Sequence, residues 1–323
     1  MKKLILIIIA FFLLFATLLA QQTENAFIVV IDGARYSETF GDETHQYIPK
    51  IWNQLRPMGA IYNSFYIDGW TLTNSGHASI ITGTWQKIAN DGSERPHKPT
   101  LFEYFRKQHN TSITENYVVL GKDKLKILTH SNHSEYGSNY RASVKTSVSQ
   151  YNDIKTWENI KEVITAHHPR LMIVNLAETD ASGHSGVWNS YVSALQQADS
   201  LVSELWTLIQ SDSIYSNKTT LFVTNDHGRH SGSFSSHGDS CEGCQHIMLL
   251  VIGPDTPAGV TDEATWKQID IVPTVGYLLN FDTPYCTGTT ISTAIATNVS
   301  MVELNFPRTI NLSQNYPNPF NSS

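Results

Sequence analysis

Residues Ala26–Ile31 (AFIVVI) form an unbroken apolar run that stops abruptly at Asp32-Gly33. A strand that is apolar on both faces must be covered on both faces, as in the middle of a parallel sheet with helices on either side. Four further runs are strand candidates: Tyr117–Leu120, Leu171–Leu176, Thr220–Thr224 and Ile247–Ile252. Helical patterns lie between them, at Pro49–Met58, Gly76–Ile81, Thr100–Lys107, Ile154–Ala166, Val187–Ile209 and Gln268–Leu279. The alternation predicts an α/β fold with a mainly parallel central sheet flanked by helices. Residues 121–153 are rich in Ser, Tyr, His and Asn and poor in aliphatics. They are expected to form a small cap or a long loop.

Charge narrows the function classes. Twenty-two basic residues against 29 acidic ones give −7, so the basic face of a nucleic-acid binder is absent and no specific nucleic-acid binding is expected. Three Cys cannot staple a chain of this size. The 13 His do invite chemistry, because neutral imidazole and carboxylate together hold divalent cations.

Both ends read as addresses. Residues 1–20 begin with Lys2 and Lys3, run apolar from Leu4 and end at Ala20, which is the layout of a secretory signal peptide; a membrane anchor is the competing reading. No later segment reaches the roughly 18 apolar residues of a membrane helix. Within 301–323, Gln314-Asn315-Tyr316-Pro317-Asn318-Pro319-Phe320-Asn321 resembles the opening of the type A sorting domain of the type IX secretion system. The remainder of such a domain does not follow, so a truncated sorting segment is expected. The implied partner is the secretion machinery, and the implied destination is the cell exterior or surface by way of the periplasm. The catalytic domain is expected at 21–300.

Polar residues cluster just past the strand candidates: Asp32 after the first, Asp180 and His184 after Leu171–Leu176, Asp226 and His227 after Thr220–Thr224. That edge of an open α/β sheet is where ligands bind. A single Asp there could simply cap the next helix, but the joint pattern points to a site. Asp180-Ala-Ser-Gly-His184 is expected to present both side chains from one turn. Asp226-His227-Gly228 places two potential ligands side by side at a tight turn.

The strings VVIDGAR (29–35), TNSGHASIITG (73–83), ETDASGHSG (178–186), TNDHGRH (224–230), SSHGDSCEGCQHIMLLVIGP (235–254) and DIVPTVGYLL (270–279) together resemble the alkaline phosphatase superfamily. The likeness is nearer its nucleotide pyrophosphatase/phosphodiesterase branch and spans about residues 27–288. The resemblance implies two divalent ions, zinc first and manganese as the alternative. Asp32, Thr73, Asp226 and His227 would hold one; Asp180, His184 and His237 would hold the other. It also implies hydrolysis of a small phosphate ester through a phospho-threonine on Thr73.

Thr73 precedes a helical pattern, where backbone N–H groups favour an anion. Ser75 is equally close to that helix start, and Thr73 could instead be only an N-cap. His77 is expected to support the turn, and His230 to be a bystander. The third imidazole could be His230 or His246, but His237-Gly238 matches the family's His-Gly position. Asn90 resembles the superfamily's asparagine for a nonbridging phosphate oxygen, at a shorter spacing from Thr73 than is common. Lys122-Asp123-Lys124 resembles the Lys-Asp-Arg signature of the monoesterase branch, with Lys in place of Arg; a solvated loop charge run is the plain alternative. Two ammonium groups favour a dianionic phosphate, although Lys cannot fork to two oxygens as Arg does.

A phosphodiesterase would use the same seven ligands. The formylglycine context of classical sulfatases, with its Pro and Arg, is missing around Thr73. A non-catalytic exported binding module would require lost ligands. Cys241-Glu-Gly-Cys244 has no second CxxC to complete four thiolates, so an oxidised pair is expected, either within it or between one of its members and Cys286.

Overall fold

β1 (Asn25–Ile31) is buried along its whole length, and its side chains divide between two cores as the period of two requires. Ala26, Ile28 and Val30 face one layer, which includes Ile80, Ile81, Phe102, Phe105, Val272 and Val275. Phe27, Val29 and Ile31 face the other, with Ile160, Ile164, Leu195, Leu201 and Ile209. The first layer is built by helices Thr73–Thr82, Leu101–His109 and Ile271–Leu278. The second is built by Asp153–His167 and Trp188–Ser211. This computed structural model describes residues 21–147 and 149–296. The signal-peptide and sorting segments, 1–20 and 301–323, lie outside the described residues.

The other strands are β2 (Ala60–Tyr66), β3 (Asn116–Leu120), β4 (Ser143–Thr146), β5 (Leu171–Leu176), β6 (Thr219–Thr224), β7 (His246–Ile252), β8 (Val260–Asp262) and β9 (Trp266–Lys267). They form one sheet in the order β4-β3-β5-β1-β6-β7-β2-β8, with β9 also paired to β2. Pairing is parallel from β4 through β6 and antiparallel on both sides of β7. The sheet is therefore mixed and mostly parallel, as the apolar runs predict. Among the described residues no helix is long and apolar enough to cross a membrane.

The 121–153 segment is mostly irregular, and one local reading elsewhere differs from the structure. Residues 121–153 contain 3₁₀ turns at Asp123–Thr129 and Gly137–Tyr140, and then rejoin the sheet as the edge strand β4. Asp180 and His184 are not on a turn: Glu178–His184 is a short helix. A spacing of four residues on a helix puts both side chains on one face, so the same pair converges by a different route.

Candidate metal centre

β1, β5 and β6 are neighbours at the middle of the sheet, and their carboxyl ends deliver the acidic residues. Asp32 follows β1 directly, Asp226 and His227 follow β6, and the helix after β5 brings Asp180 and His184. Helix Thr73–Thr82 starts beside them, with Thr73 as its first residue. A Cβ on Gly76 would stand 2.2 Å from the Asp226 carbonyl oxygen, so the missing side chain is what lets this helix approach.

Two ligand groups emerge from the geometry. Asp32, Asp226 and His227 form one, fully buried, and Asp180, His227 and His237 form the other. His227 Nδ1 lies 2.9 Å from the Gly228 carbonyl, which turns Nε2 toward Asp226 Oδ2 at 3.4 Å and Asp32 Oδ1 at 3.8 Å. Thr73 Oγ1 is 3.4 Å from the same Nε2. His237 Nδ1 is likewise tied to the Thr71 carbonyl at 2.9 Å. His237 Nε2 faces His184 Nε2 at 3.2 Å and Asp180 Oδ1 at 3.6 Å. Fixing one ring nitrogen on a carbonyl presents the other as a donor, the usual support of a metal-binding imidazole. All seven predicted ligands thus meet in one place, with His227 shared between the two groups. His184, about half exposed, stands at the open end.

The buried end fits a cation. Asp32 Oδ1 and Asp226 Oδ2 are buried and accept no hydrogen bond, a costly state for carboxylate oxygens unless a cation completes them. Their other oxygens are fixed: Asn175 Nδ2 donates to Asp32 Oδ2 at 2.9 Å and Gly33 N–H to Asp226 Oδ1 at 3.0 Å. Burial, then the Asp226 charge, raises the Asp32 carboxyl above its ordinary range. Burial also pushes Asp226 upward, but His227, His77 and Lys122 outweigh it and hold the group well below the usual range. Burial and the His227 ring depress His237 to about 3, so it stays neutral and ready to ligate.

Lys122 and Lys124 do not act side by side. Lys122 is buried, with its ammonium 2.6 Å from Asp180 Oδ2 and 2.8 Å from Asp32 Oδ2. Burial lowers its pKa, but Asp32 and Asp180 raise it further, above the ordinary lysine value. Lys124 instead reaches Asn90, 3.2 Å from its carbonyl and 3.3 Å from Oδ1. Asn90 Oδ1 accepts from Asn74 N–H at 3.0 Å, which holds Asn90 beside the start of the Thr73 helix. The expected pair of phosphate-facing lysines is thus one lysine on carboxylates and one at the mouth.

Three further residues belong to the site. Arg229, fully buried, pairs with Asp180 and donates from Nε to the Gly33 carbonyl at 3.0 Å. Its signal in the sequence is its place in TNDHGRH, beside Asp226 and His227. Asn175 also lies 3.1 Å from His77 Nε2. His77 Nδ1 sits 2.8 Å from the Thr73 carbonyl and 3.2 Å from Asp226 Oδ2, so His77 ties the helix start to a candidate ligand. His246 stacks on Tyr36 and Tyr66, away from the centre. The three cysteines are free thiols, so the expected oxidised pair is not formed. Cys286 packs against Gly83, while Cys241 and Cys244 face His230.

Residues 129–274 match the Metalloenzyme superfamily. Curated relatives include the 2,3-bisphosphoglycerate-independent phosphoglycerate mutases of Gracilaria tenuistipitata var. liui and Nitrosococcus oceani. They are 23% and 25% identical over 132 residues, which cover 40% and 41% of this chain. The match spans about a quarter of those relatives' length, 25% and 24%. Among solved structures, alkaline phosphatase PafA superposes with a TM-score of 0.65 at 12% identity, covering 86% of this chain and 100% of that one. The phosphonate monoester hydrolase of Silicibacter pomeroyi gives 0.60 at 12% identity over 86% and 78%. A 2-O GAG sulfatase gives 0.61 at 14% identity over 84% and 74%. The chain has an alkaline phosphatase-like α/β fold, and its stretch 129–274 carries the match to the metalloenzyme superfamily.

Proposed function

We propose that this chain is an exported, metal-dependent hydrolase of phosphoric monoesters that works through Thr73. The observation that carries the reading is the position of Thr73: first residue of a helix, 3.4 Å from His227 Nε2. That nitrogen faces Asp32 Oδ1 and Asp226 Oδ2, two buried carboxylate oxygens that accept no hydrogen bond. Asp32, Asp226 and His227, with Thr73, would hold one divalent cation; Asp180, His184 and His237 would hold a second. When bound, such a pair supplies Lewis-acid stabilisation of phosphoryl oxygens and lowers the pKa of a neighbouring hydroxyl.

Thr73 Oγ1 would bond to phosphorus as the bond to the ester oxygen breaks, and water would then cleave the phospho-threonine to release phosphate. The Asn90 amide N–H groups and the Lys124 ammonium, at the open end, would hold the remaining oxygens. Lys122 and Arg229 keep Asp180 deprotonated and placed. Export rests on residues 1–20 and the QNYPNPFN segment.

A second reading, hydrolysis of monoanionic phosphodiesters or phosphonate monoesters, is favoured by one observation. Lys122 is turned onto Asp32 and Asp180, which leaves Lys124 as the lysine at the mouth and weakens selection for a dianion. Rates on p-nitrophenyl phosphate, its bis-ester, p-nitrophenyl phenylphosphonate and p-nitrophenyl sulfate test both. The monoester is expected to be the best substrate; a strong preference for the bis-ester or the phosphonate replaces the first reading with the second, and a preference for the sulfate sinks both.

A further inference from the structure

We infer that His230, Asp239, Cys241 and Cys244 form a third metal site, a structural zinc site separate from the catalytic centre. One ligand atom from each lies within 4.8 Å of all the others. His230 Nδ1 stands 3.0 Å from Asp239 Oδ2, 3.4 Å from Cys244 Sγ and 3.7 Å from Cys241 Sγ. Ligand atoms around tetrahedral zinc at ordinary bond lengths are separated by about 3.3 to 3.8 Å, so these distances are close to the edges of such a tetrahedron. Two thiols, an imidazole and a carboxylate are a softer set than the O- and N-rich catalytic group and select zinc. Binding releases the two thiol protons and leaves four protein ligands with no open position.

The surroundings hold the ligands in place. Cys241 N–H donates to Asp239 Oδ1 at 3.0 Å, which fixes that carboxylate with Oδ2 toward His230. Gly228 and Arg229 N–H donate to the Cys244 and Gly243 carbonyls at 2.9 and 2.8 Å, so the His230 and Cys244 segments lie alongside each other. Gly243 is needed there, because a Cβ would stand 2.4 Å from the Arg229 carbonyl oxygen.

The site also has a task. Residues 225–241 form a long irregular loop whose one large apolar side chain is Phe234, and a loop of that length without its own core needs another constraint. It carries Asp226, His227 and His237. The Asp239 carbonyl accepts from Thr71 Oγ1 at 2.7 Å, and His237 Nδ1 rests on the Thr71 carbonyl. A zinc ion at Asp239 would therefore fix the strap that positions His237 against Thr71, which lies two residues ahead of Thr73.

Cobalt substitution of reduced full-length protein tests the inference independently of any hydrolase activity. Cobalt-loaded wild type is expected to show a thiolate-to-cobalt charge-transfer band, which the catalytic group cannot produce because it has no thiolate. The band should persist in Asp226→Asn and vanish in the double variant Cys241→Ser/Cys244→Ser, which should also bind one zinc fewer per chain than wild type. Absence of the band in wild type overturns the proposal even if the double variant fails to fold. So does its persistence in the double variant, or a thiol titration showing Cys241 and Cys244 joined as a disulfide.

Discussion

Lys122 shows what one side chain contributes at this centre. It is only 2% exposed and neutralises Asp32 and Asp180 directly. Removing one partner of a buried ion pair leaves an uncompensated charge and costs about 3–5 kcal/mol. Lys122→Met should lose stability of that order in metal-free protein and much less with zinc bound, because the cation takes over the neutralisation. Urea midpoints with and without zinc check this; an equal loss in both states would contradict it. Nothing in the sequence separated Lys122 from Lys124. Both follow β3, and only the tertiary placement of Asp32 and Asp180 decides which one turns inward. Arg229 has a readable place in TNDHGRH, but its role is hidden for the same reason, since its partner Asp180 is remote in sequence.

Asp153 is a second residue whose environment makes a prediction. It accepts from Ala177 N–H at 2.7 Å, yet burial, with Glu178 adding to it, pushes its carboxyl up to about 7. A folded-state pKa above the unfolded one contributes stability that is present below the unfolded value of 3.8 and lost as pH rises through about 7. Wild type should therefore lose stability between about pH 4 and pH 8 relative to Asp153→Asn, by a few kcal/mol at most. Denaturation midpoints of the two proteins across that range check it, and parallel profiles would refute it.

Among elements, the helix Thr73–Thr82 has the tightest seat. All of its residues are buried, and Gly76 is where it meets Asp226. Gly76→Ala must push the helix off the Asp226 backbone, at about 1–3 kcal/mol of overpacking, and carry Thr73 with it. Hydrolysis should fall by about 100-fold or more, in keeping with the sensitivity of attack geometry to displacements near 1 Å. Unchanged activity with a lowered melting temperature would show that the contact is structural only. The central strands were legible because strands buried on both faces read as continuous apolar runs. β2 was not: its sequence AIYNSFY alternates burial imperfectly, and its register against β7 shifts between Tyr62 and Phe65. The helix Glu178–His184 was read as a turn because seven residues with Ser and Gly near its end carry almost no helical signal.

At the scale of the whole molecule, strands far apart in sequence bring three acidic residues to one sheet edge, and Lys122 and Arg229 offset part of their charge. A group that binds only the folded state stabilises it by mass action, by about 2.7 kcal/mol at a hundredfold excess over the dissociation constant. The melting temperature of stripped protein should rise with added zinc, and the rise should shrink in Asp226→Asn; identical shifts in both would place the metal elsewhere. The candidate ligands were legible as a cluster because each follows a readable strand or a recognisable string. The sharing of His227 between two groups depends on distances that no spacing encodes.

The proposed chemistry turns on Thr73. Protein incubated with p-nitrophenyl phosphate and zinc, quenched in acid and mapped by mass spectrometry, should carry one phosphoryl group on Thr73. That group should be absent after metal removal and in Thr73→Ala. Steady hydrolysis with Thr73 unmodified, or a phosphoryl group on Ser75 instead, would contradict it.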